Sequence, residues 1–410
     1  MKRFKYSSQF VAIAALMVSC SATVAQDKIS DGVVKIGLLL DMAGPYSDIG
    51  GAGSVLAAKM AIEDFGGTVL GKPIEMVVAD HQNKTDIAST KAREWFDTQK
   101  VDAITDVASS ATSISVVNVG KAKNKIVLIA AAAGGSSRLT NEECSAISVH
   151  WTYNTYTLAN VMANAVVKEG GDSWYFITAD YTFGQSLEKD TSDMVNAAGG
   201  KVLGTVRHPL NASDFSSYMV QAQASGAKVI GLANAGGDTI NAIKAANDFG
   251  ITTAGKQSIA GLLMYISDVH ALGLKTTQGM MLTEGFYWDL NDQTRTWSKR
   301  FFERHKRMPT SAQAGEYSAV SHYLKAVQAA ETDETTAVMA KMHELPVNDI
   351  FARDGKIRAD GAMVHPMYLT QVKKPSESKY PWDYLSIKAT IPADKAFQPL
   401  SASRCVLVKK

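Results

Sequence analysis

Residues 33–40 read VVKIGLLL, and this stretch decides the reading of the chain. Its nearly unbroken apolar run predicts a strand covered on both faces, as in a parallel sheet. The pattern around it alternates. Residues 54–65 read as a helix closed by Gly66-Gly67, a common helix stop. Lys59 and Glu63 are spaced to pair on its wet side. Strand 74–79, helix 86–96, strand 102–107, helix 113–121 and strand 126–131 follow. This is the βαβ rhythm of a parallel sheet.

The rhythm restarts after His150. Leu158, Val161, Met162, Ala165 and Val166 fall on one face of a helix. Strands at 174–178, 201–206, 229–233, 257–260 and 279–283 alternate with helices at 187–197, 215–224 and 239–249. Two successive α/β units imply two sheets and two lobes. Beyond Glu284 come helices at 292–307 and 314–330, then irregular chain from Asp354 with a strand candidate at 367–372. Ligands in such sheets bind beyond the carboxyl ends of the strands.

Composition narrows the function. The 410 residues are 46% hydrophobic and 20% charged, with a net charge of +2, which fits a folded protein and excludes disorder. At roughly 150 residues per domain, the length allows two or three domains. The near-neutral balance argues against nucleic-acid binding, which needs clustered basic charge. Mean hydropathy of -0.06 argues against a polytopic membrane protein.

The first 25 residues read as a secretory signal: Lys2, Arg3 and Lys5, a short apolar centre, then Thr23-Val24-Ala25 before Gln26. A lipid-modified Cys20 is the minority alternative. Removing the signal leaves Cys144 and Cys405, and an oxidising compartment favours a bridge between them over two free thiols.

Enzyme motifs are weak. Gly51-Ala52-Gly53 resembles part of a dinucleotide loop, but Leu56 stands at the third glycine position, so it reads as a helix-opening turn. There is no Walker loop, no Gly-x-Ser-x-Gly elbow and no zinc-type histidine pairing. His81 and His150 fall near strand ends and read as structural. No cofactor is implied.

Binding features are stronger. Ser109, Ser110 and Thr112 follow a strand and open a helix, where unpaired N–H groups and hydroxyls suit a carboxylate. One hydroxyl can cap the helix while another faces a cleft. The small residues at 130–135 allow close approach to main-chain groups. Trp151, Tyr153, Tyr156, Tyr181 and Phe183 crowd the start of the second lobe. Trp151 and Tyr156 read as core, Phe183 as cleft, and rings such as Tyr153 as candidate stacking partners.

The order of these motifs resembles the periplasmic solute-binding proteins of ABC transporters, in the branched-chain amino-acid (Leu/Ile/Val-binding) class, the type I periplasmic binding proteins. The carriers are Lys35-Ile36-Gly37, Gly44-Pro45, Gly50, Ala79-Asp80, the run 107–112, Leu139-Thr140, Tyr181-Thr182-Phe183-Gly184 and Gly279-Met280. The resemblance implies a monomer of two doubly wound α/β lobes joined by a three-segment hinge. The crossings would fall near 150–152, 283–285 and 347–352. Lobe 1 would take 29–150 plus 284–350, and lobe 2 would take 151–283 plus 351–410. It places Ser109 on the ligand carboxylate, Ala132, Ala133 and Gly134 at a main-chain contact, and Phe183 where amino-acid binders often carry Tyr. Ile49 and Tyr317 match the mouth. It implies a membrane permease as partner and a periplasmic location.

Two departures follow. Amino-acid binders hold the α-ammonium with an acid after the strand ending near Gly261, where this chain has Leu262. They carry an aromatic after Ala233, where this chain has Asn234-Ala235-Gly236-Gly237. Leu262, Phe183 and an emptied Gly236 position would suit a flatter apolar body. The expected ligand is an organic acid without an α-amino group, such as an aromatic acid.

Overall fold

The computed structural model describes residues 1, 28–130, 134–251 and 255–409. The expected signal beyond Met1, with Cys20, lies outside the described residues, as do Ala132 and Ala133. Strand β1 (Val34–Leu40) is buried at every position but Lys35, as the apolar run predicts. It is followed by α1 (Gly51–Phe65), β2 (Thr68–Val69), β3 (Lys72–Asp80), α2 (Thr85–Asp97), β4 (Ala103–Asp106), α3 (Ser110–Lys123), β5 (Ile126–Ile129) and β6 (Ser148–His150). These strands form one sheet in the order β2-β3-β1-β4-β5-β6, parallel except for β2. Glu63 bonds Arg304 rather than Lys59, because a bidentate guanidinium from a later helix outcompetes the in-helix pair.

The second unit runs through α4 (Thr155–Lys168), β7 (Ser173–Ala179), α5 (Thr182–Ala197), β8 (Lys201–His208), α6 (Ser216–Ala224), β9 (Val229–Ala233), α7 (Gly237–Asp248) and β10 (Ser258–Gly261). Its sheet is wholly parallel, in the order β10-β9-β7-β8. Two short helices, α8 (Ile266–Leu272) and α9 (Leu274–Thr277), lead into β11 (Met281–Glu284). The chain returns to the first sheet with α10 (Asp292–His305), α11 (Ser311–Ala330) and α12 (Thr335–Glu344). Helix α11 packs along α1. After a small pair, β12 (Lys356–Ile357) and β13 (Met363–Val364), strands β14 (Met367–Val372) and β15 (Leu385–Ile391) join β11 in an antiparallel sheet.

The fold is thus two α/β lobes, and the chain crosses between them three times. The crossings converge on one histidine. His365 Nε2 lies 2.7 Å from the Thr152 carbonyl oxygen, and its ring packs edge-on against Phe351. A Cβ on Gly285 would stand 3.1 Å from both His365 and Phe351. Segments near 152, 285 and 351 therefore meet without room for a larger residue.

Cys144 and Cys405 are bonded, closing a separation of 261 residues. The tail is held beside them: Arg404 N–H donates to Asn141 Oδ1 at 2.9 Å, and its guanidinium pairs with Glu142. Just upstream, α13 (Ala393–Ala396) packs on α4, and Asn160 Nδ2 donates to the Lys395 carbonyl at 2.6 Å. Changing both cysteines to serine should lower stability by about 2–5 kcal/mol, since the bridge constrains so long a loop in the unfolded chain. Thermal melts of the oxidised protein and the double variant check this; equal melting temperatures would show that the bridge carries no load.

Candidate functional site

The carboxyl ends of the two sheets meet face to face. Asp41, one residue past β1, organises the first loop. Its carboxylate accepts from Gly44 N at 2.7 Å, Tyr46 N at 3.0 Å and Asn83 Nδ2 at 2.6 Å. This turn projects Pro45 and Tyr46 onto the second lobe. There the Tyr46 and Tyr181 hydroxyls bond one another, and the Pro45 carbonyl accepts from Gly237 N at 3.3 Å. Gly236 has φ 58 and ψ -129, and a Cβ there would stand 2.2 Å from Pro45 O. This corrects the expectation that Gly236 leaves room for a ligand: the main chain of the opposite lobe fills that space.

The loop after β4 carries the serines. Asp106 and Val107 have φ of 72 and 58, a left-handed bend that is an outlier for a β-branched residue. Ser109 is the N-cap of α3, is 2% exposed, and makes no side-chain cap hydrogen bond. Its carbonyl instead accepts from Thr112 Oγ1 and Ser113 N. Ser110 Oγ accepts from Ser136 N at 3.0 Å, so this hydroxyl braces the neighbouring loop. The structure thus divides the pair: Ser110 is engaged with protein, while the Ser109 hydroxyl is not spent on capping. His81 is a structural residue of this bend, with Nε2 3.2 Å from Ala108 N.

Around Ser109 an apolar wall is assembled from both lobes. Tyr46, Ile49, Ala108, Tyr153, Phe183, Ala235, Leu262, Tyr265 and Ala312 belong to one buried cluster. A Cβ on Gly135 would lie 3.3 Å from the rings of both Phe183 and Tyr153. Gly134 packs on the Val107 carbonyl. Gly135 therefore seats the loop after β5 against Phe183 and Tyr153, and Ile49 and Leu262 belong to the same buried cluster as these rings. Tyr317 does not. Its hydroxyl donates to Asp64 at 2.9 Å, a carboxylate also held by Arg300, and its ring lies 5.1 Å from Trp297. One step along α11 it is Glu316 that points inward.

Buried acids are what the sequence reading missed. Glu316 is fully buried and accepts from Thr105 Oγ1 at 2.9 Å, with Asp106 in electrostatic contact. Burial raises both carboxyls, and each raises or is raised by neighbouring acids: Asp106 by Asp41, Glu316 by Asp106. Glu284, the last residue of β11, is 2% exposed, and burial pushes its carboxyl up to about 8. Asp268 lies near it and is also raised by burial, with Oδ2 accepting from Tyr265 N at 3.0 Å. Among the described residues no lysine or arginine is buried, so no cation compensates these groups from within. A lone acid ending the apolar run of β11 was the available signal for Glu284.

Comparison with known proteins supplies the rest. A family model for periplasmic binding proteins matches residues 33–379. The chain belongs to the periplasmic binding protein family. A crystal structure of a periplasmic binding protein from Burkholderia mallei is 54% identical, covering 92% of this chain and 100% of that one, with a TM-score of 0.90. A branched-chain amino acid ABC transporter periplasmic ligand-binding protein from Burkholderia xenovorans is 39% identical over the same shares, with a TM-score of 0.82. The Leu/Ile/Val-binding protein homolog 6 of Brucella melitensis is 26% identical over 64% of this chain, and the match spans 65% of that relative's length. A solute-binding protein of an ABC transporter from Rhodopseudomonas palustris, in complex with 3,4-dihydroxybenzoic acid, shares the fold at 18% identity, a TM-score of 0.80 and coverage of 88% of this chain and 98% of that one. The chain accordingly has the type I periplasmic binding protein fold, and its family is one of ligand-binding proteins rather than of enzymes.

In this binding protein the closed cleft makes two predictions. An alanine at position 236 must either adopt a glycine-only conformation or push Pro45 away. Strain of about 1–3 kcal/mol should then oppose closure, weakening ligand binding roughly ten- to hundredfold. Calorimetric titration of Gly236→Ala checks this, with small-angle scattering expected to show a more open liganded form.

The second concerns pH. In the unfolded chain carboxyls ionise near pH 4, whereas Glu284 holds its proton to about 8. Between those values the native state binds more protons, so stability is greatest at the acid end and falls as pH rises. Buried His81 and His150, held down at about 4, act the other way below pH 6.5, so the test is comparative: between pH 5 and 8 the melting temperature of the ligand-free wild type should fall relative to that of Glu284→Gln. A slope that the substitution leaves unchanged would remove Glu284 from that account.

Proposed function

We propose that this protein is the periplasmic receptor of an ABC importer and that it captures a small organic acid without an α-amino group, in particular an aromatic acid. One observation carries the reading: the Ser109 hydroxyl, at the start of α3, is unused as a cap, and its chain neighbour Ala108 belongs to the buried cluster of Ile49, Tyr153, Phe183 and Leu262. A helix start offers N–H groups and a positive dipole end to a carboxylate. The cluster offers rings and aliphatic surface to an aromatic body. Leu262 stands where amino-acid binders carry the acid that pairs an α-ammonium, so that position itself offers no charge partner. The dihydroxybenzoic acid bound by the R. palustris protein supports an aromatic acid.

In this reading residues 1–25 export the chain and are removed near Gln26. Lobe 1 (29–150 plus 284–350) takes the carboxylate first, with main-chain help from 132–134. Lobe 2 (151–283 plus 351–410) then covers the ring. The closed monomer delivers its ligand to a permease, while ATP is hydrolysed on other subunits and no cofactor is needed. A second reading, a branched-chain amino-acid or amide receptor, is favoured by the description of the B. xenovorans relative. A ligand sensor for a signalling receptor would use the same cleft.

The test is a melting panel of aromatic acids, amides and amino acids on the chain expressed from Gln26. A ligand at a hundred times its dissociation constant should stabilise by about 2.7 kcal/mol. Ser109→Ala should weaken binding of the responding acid roughly ten- to hundredfold, since hydrogen bonds to charged groups are worth about 1.5–3 kcal/mol. Leucine binding far tighter than every aromatic acid would overturn the reading.

A further inference from the structure

On and beside the crossing segments, several buried polar atoms lack protein partners. Glu284 Oε2 has no partner in hydrogen-bond geometry, nor do Thr152 Oγ1 and Thr283 Oγ1, while the Ser311 hydroxyl is close enough to Glu284 to favour its ionised form. All four residues are at least 97% buried. Thr152 and Glu284 belong to two of the crossing segments, and Ser311 opens α11. This concentration is unusual, because buried polar groups are nearly always paired and those that are not call for an explanation such as a ligand.

Their surroundings tie them to the ligand cleft. Glu284 is in electrostatic contact with Tyr153, whose ring belongs to the same wall as Phe183 and Leu262. The Tyr153 and Tyr265 hydroxyls bond each other, and Tyr265 begins the turn that holds Asp268. Ser311 lies beside Glu284 and precedes Ala312, another member of that wall. A ring whose carboxylate rests on Ser109 would thus have Tyr153 along its flank and Glu284 among the groups beyond.

We propose that Glu284 accepts a hydrogen bond from a ring hydroxyl of the bound acid, so that the receptor selects hydroxylated aromatic acids over unsubstituted ones. This rests on the aromatic-acid reading above and names the substituent that reading leaves open. A hydroxyl suits the site better than an ammonium does. Glu284 is held largely neutral at pH 7 by burial and by Asp268, and a neutral carboxyl still presents a carbonyl oxygen to an O–H donor. The Ser311 hydroxyl beside Glu284 can pair with a second ring hydroxyl without any change of charge. An ammonium would instead require Glu284 to ionise beside Asp268.

The experiment compares benzoate, 4-hydroxybenzoate, 3,4-dihydroxybenzoate and leucine by calorimetric titration on the wild type, Glu284→Leu and Glu284→Gln. The wild type should prefer the hydroxylated acids to benzoate by tenfold or more. In Glu284→Leu that ratio should collapse toward one. Glu284→Gln should restore most of it, because its amide oxygen also accepts from a hydroxyl. A ratio near one in the wild type, or a preference that survives Glu284→Leu, overturns this proposal and leaves the aromatic-acid reading standing. Response to no aromatic acid overturns both. Leucine binding that is lost in Glu284→Gln assigns the carboxylate to an ammonium and likewise overturns the hydroxyl assignment.

Discussion

The carboxylate of Asp41 fixes the geometry on which the cleft depends. By gathering Gly44 N, Tyr46 N and the Asn83 amide, it converts the exit of β1 into a rigid projection. That projection carries Pro45 and Tyr46 across to the other lobe, where it meets a position that tolerates no side chain. Closure is therefore defined by main chain against main chain at one rim and by paired phenols beside it.

The central parallel strands were legible because burial on both faces leaves an apolar signature, and the observed strands follow the runs at 33–40 and 229–233 closely, while the half-exposed strand over 74–79 was legible from its β-branched and apolar content. Helix starts were read late. Helices α3, α5 and α11 begin three to five residues before the periodic pattern does, since their first turns hold serines, threonines and glycine rather than a repeating apolar stripe. Short α8 and the mostly exposed strand β15 gave too little pattern to be seen.

The binding region was legible in part, and the misreadings have physical causes. Ser109 and Phe183 were singled out because they follow strand ends, and both are buried. Tyr317 failed because α11 is buried on most of its circumference, so its phase is not written in its own residues. Gly236 failed because a missing side chain looks like space, while its occupant comes from residue 45, nearly two hundred positions away. Glu284 was passed over because a charge at the end of a strand ordinarily faces water, and here the crossing segments enclose it.

The tail gives the closing movement a direction. It is covalently fastened to Cys144 on one lobe and hydrogen-bonded through Lys395 to α4 on the other. A short length of chain anchored to two bodies can remain attached during rotation only if its anchors stay near the axis. The disulfide side of the molecule then behaves as the spine of a book, and the pages part along the fore-edge, where Pro45 and Tyr46 rest against Gly236 and Tyr181. Solute would enter and leave along that edge.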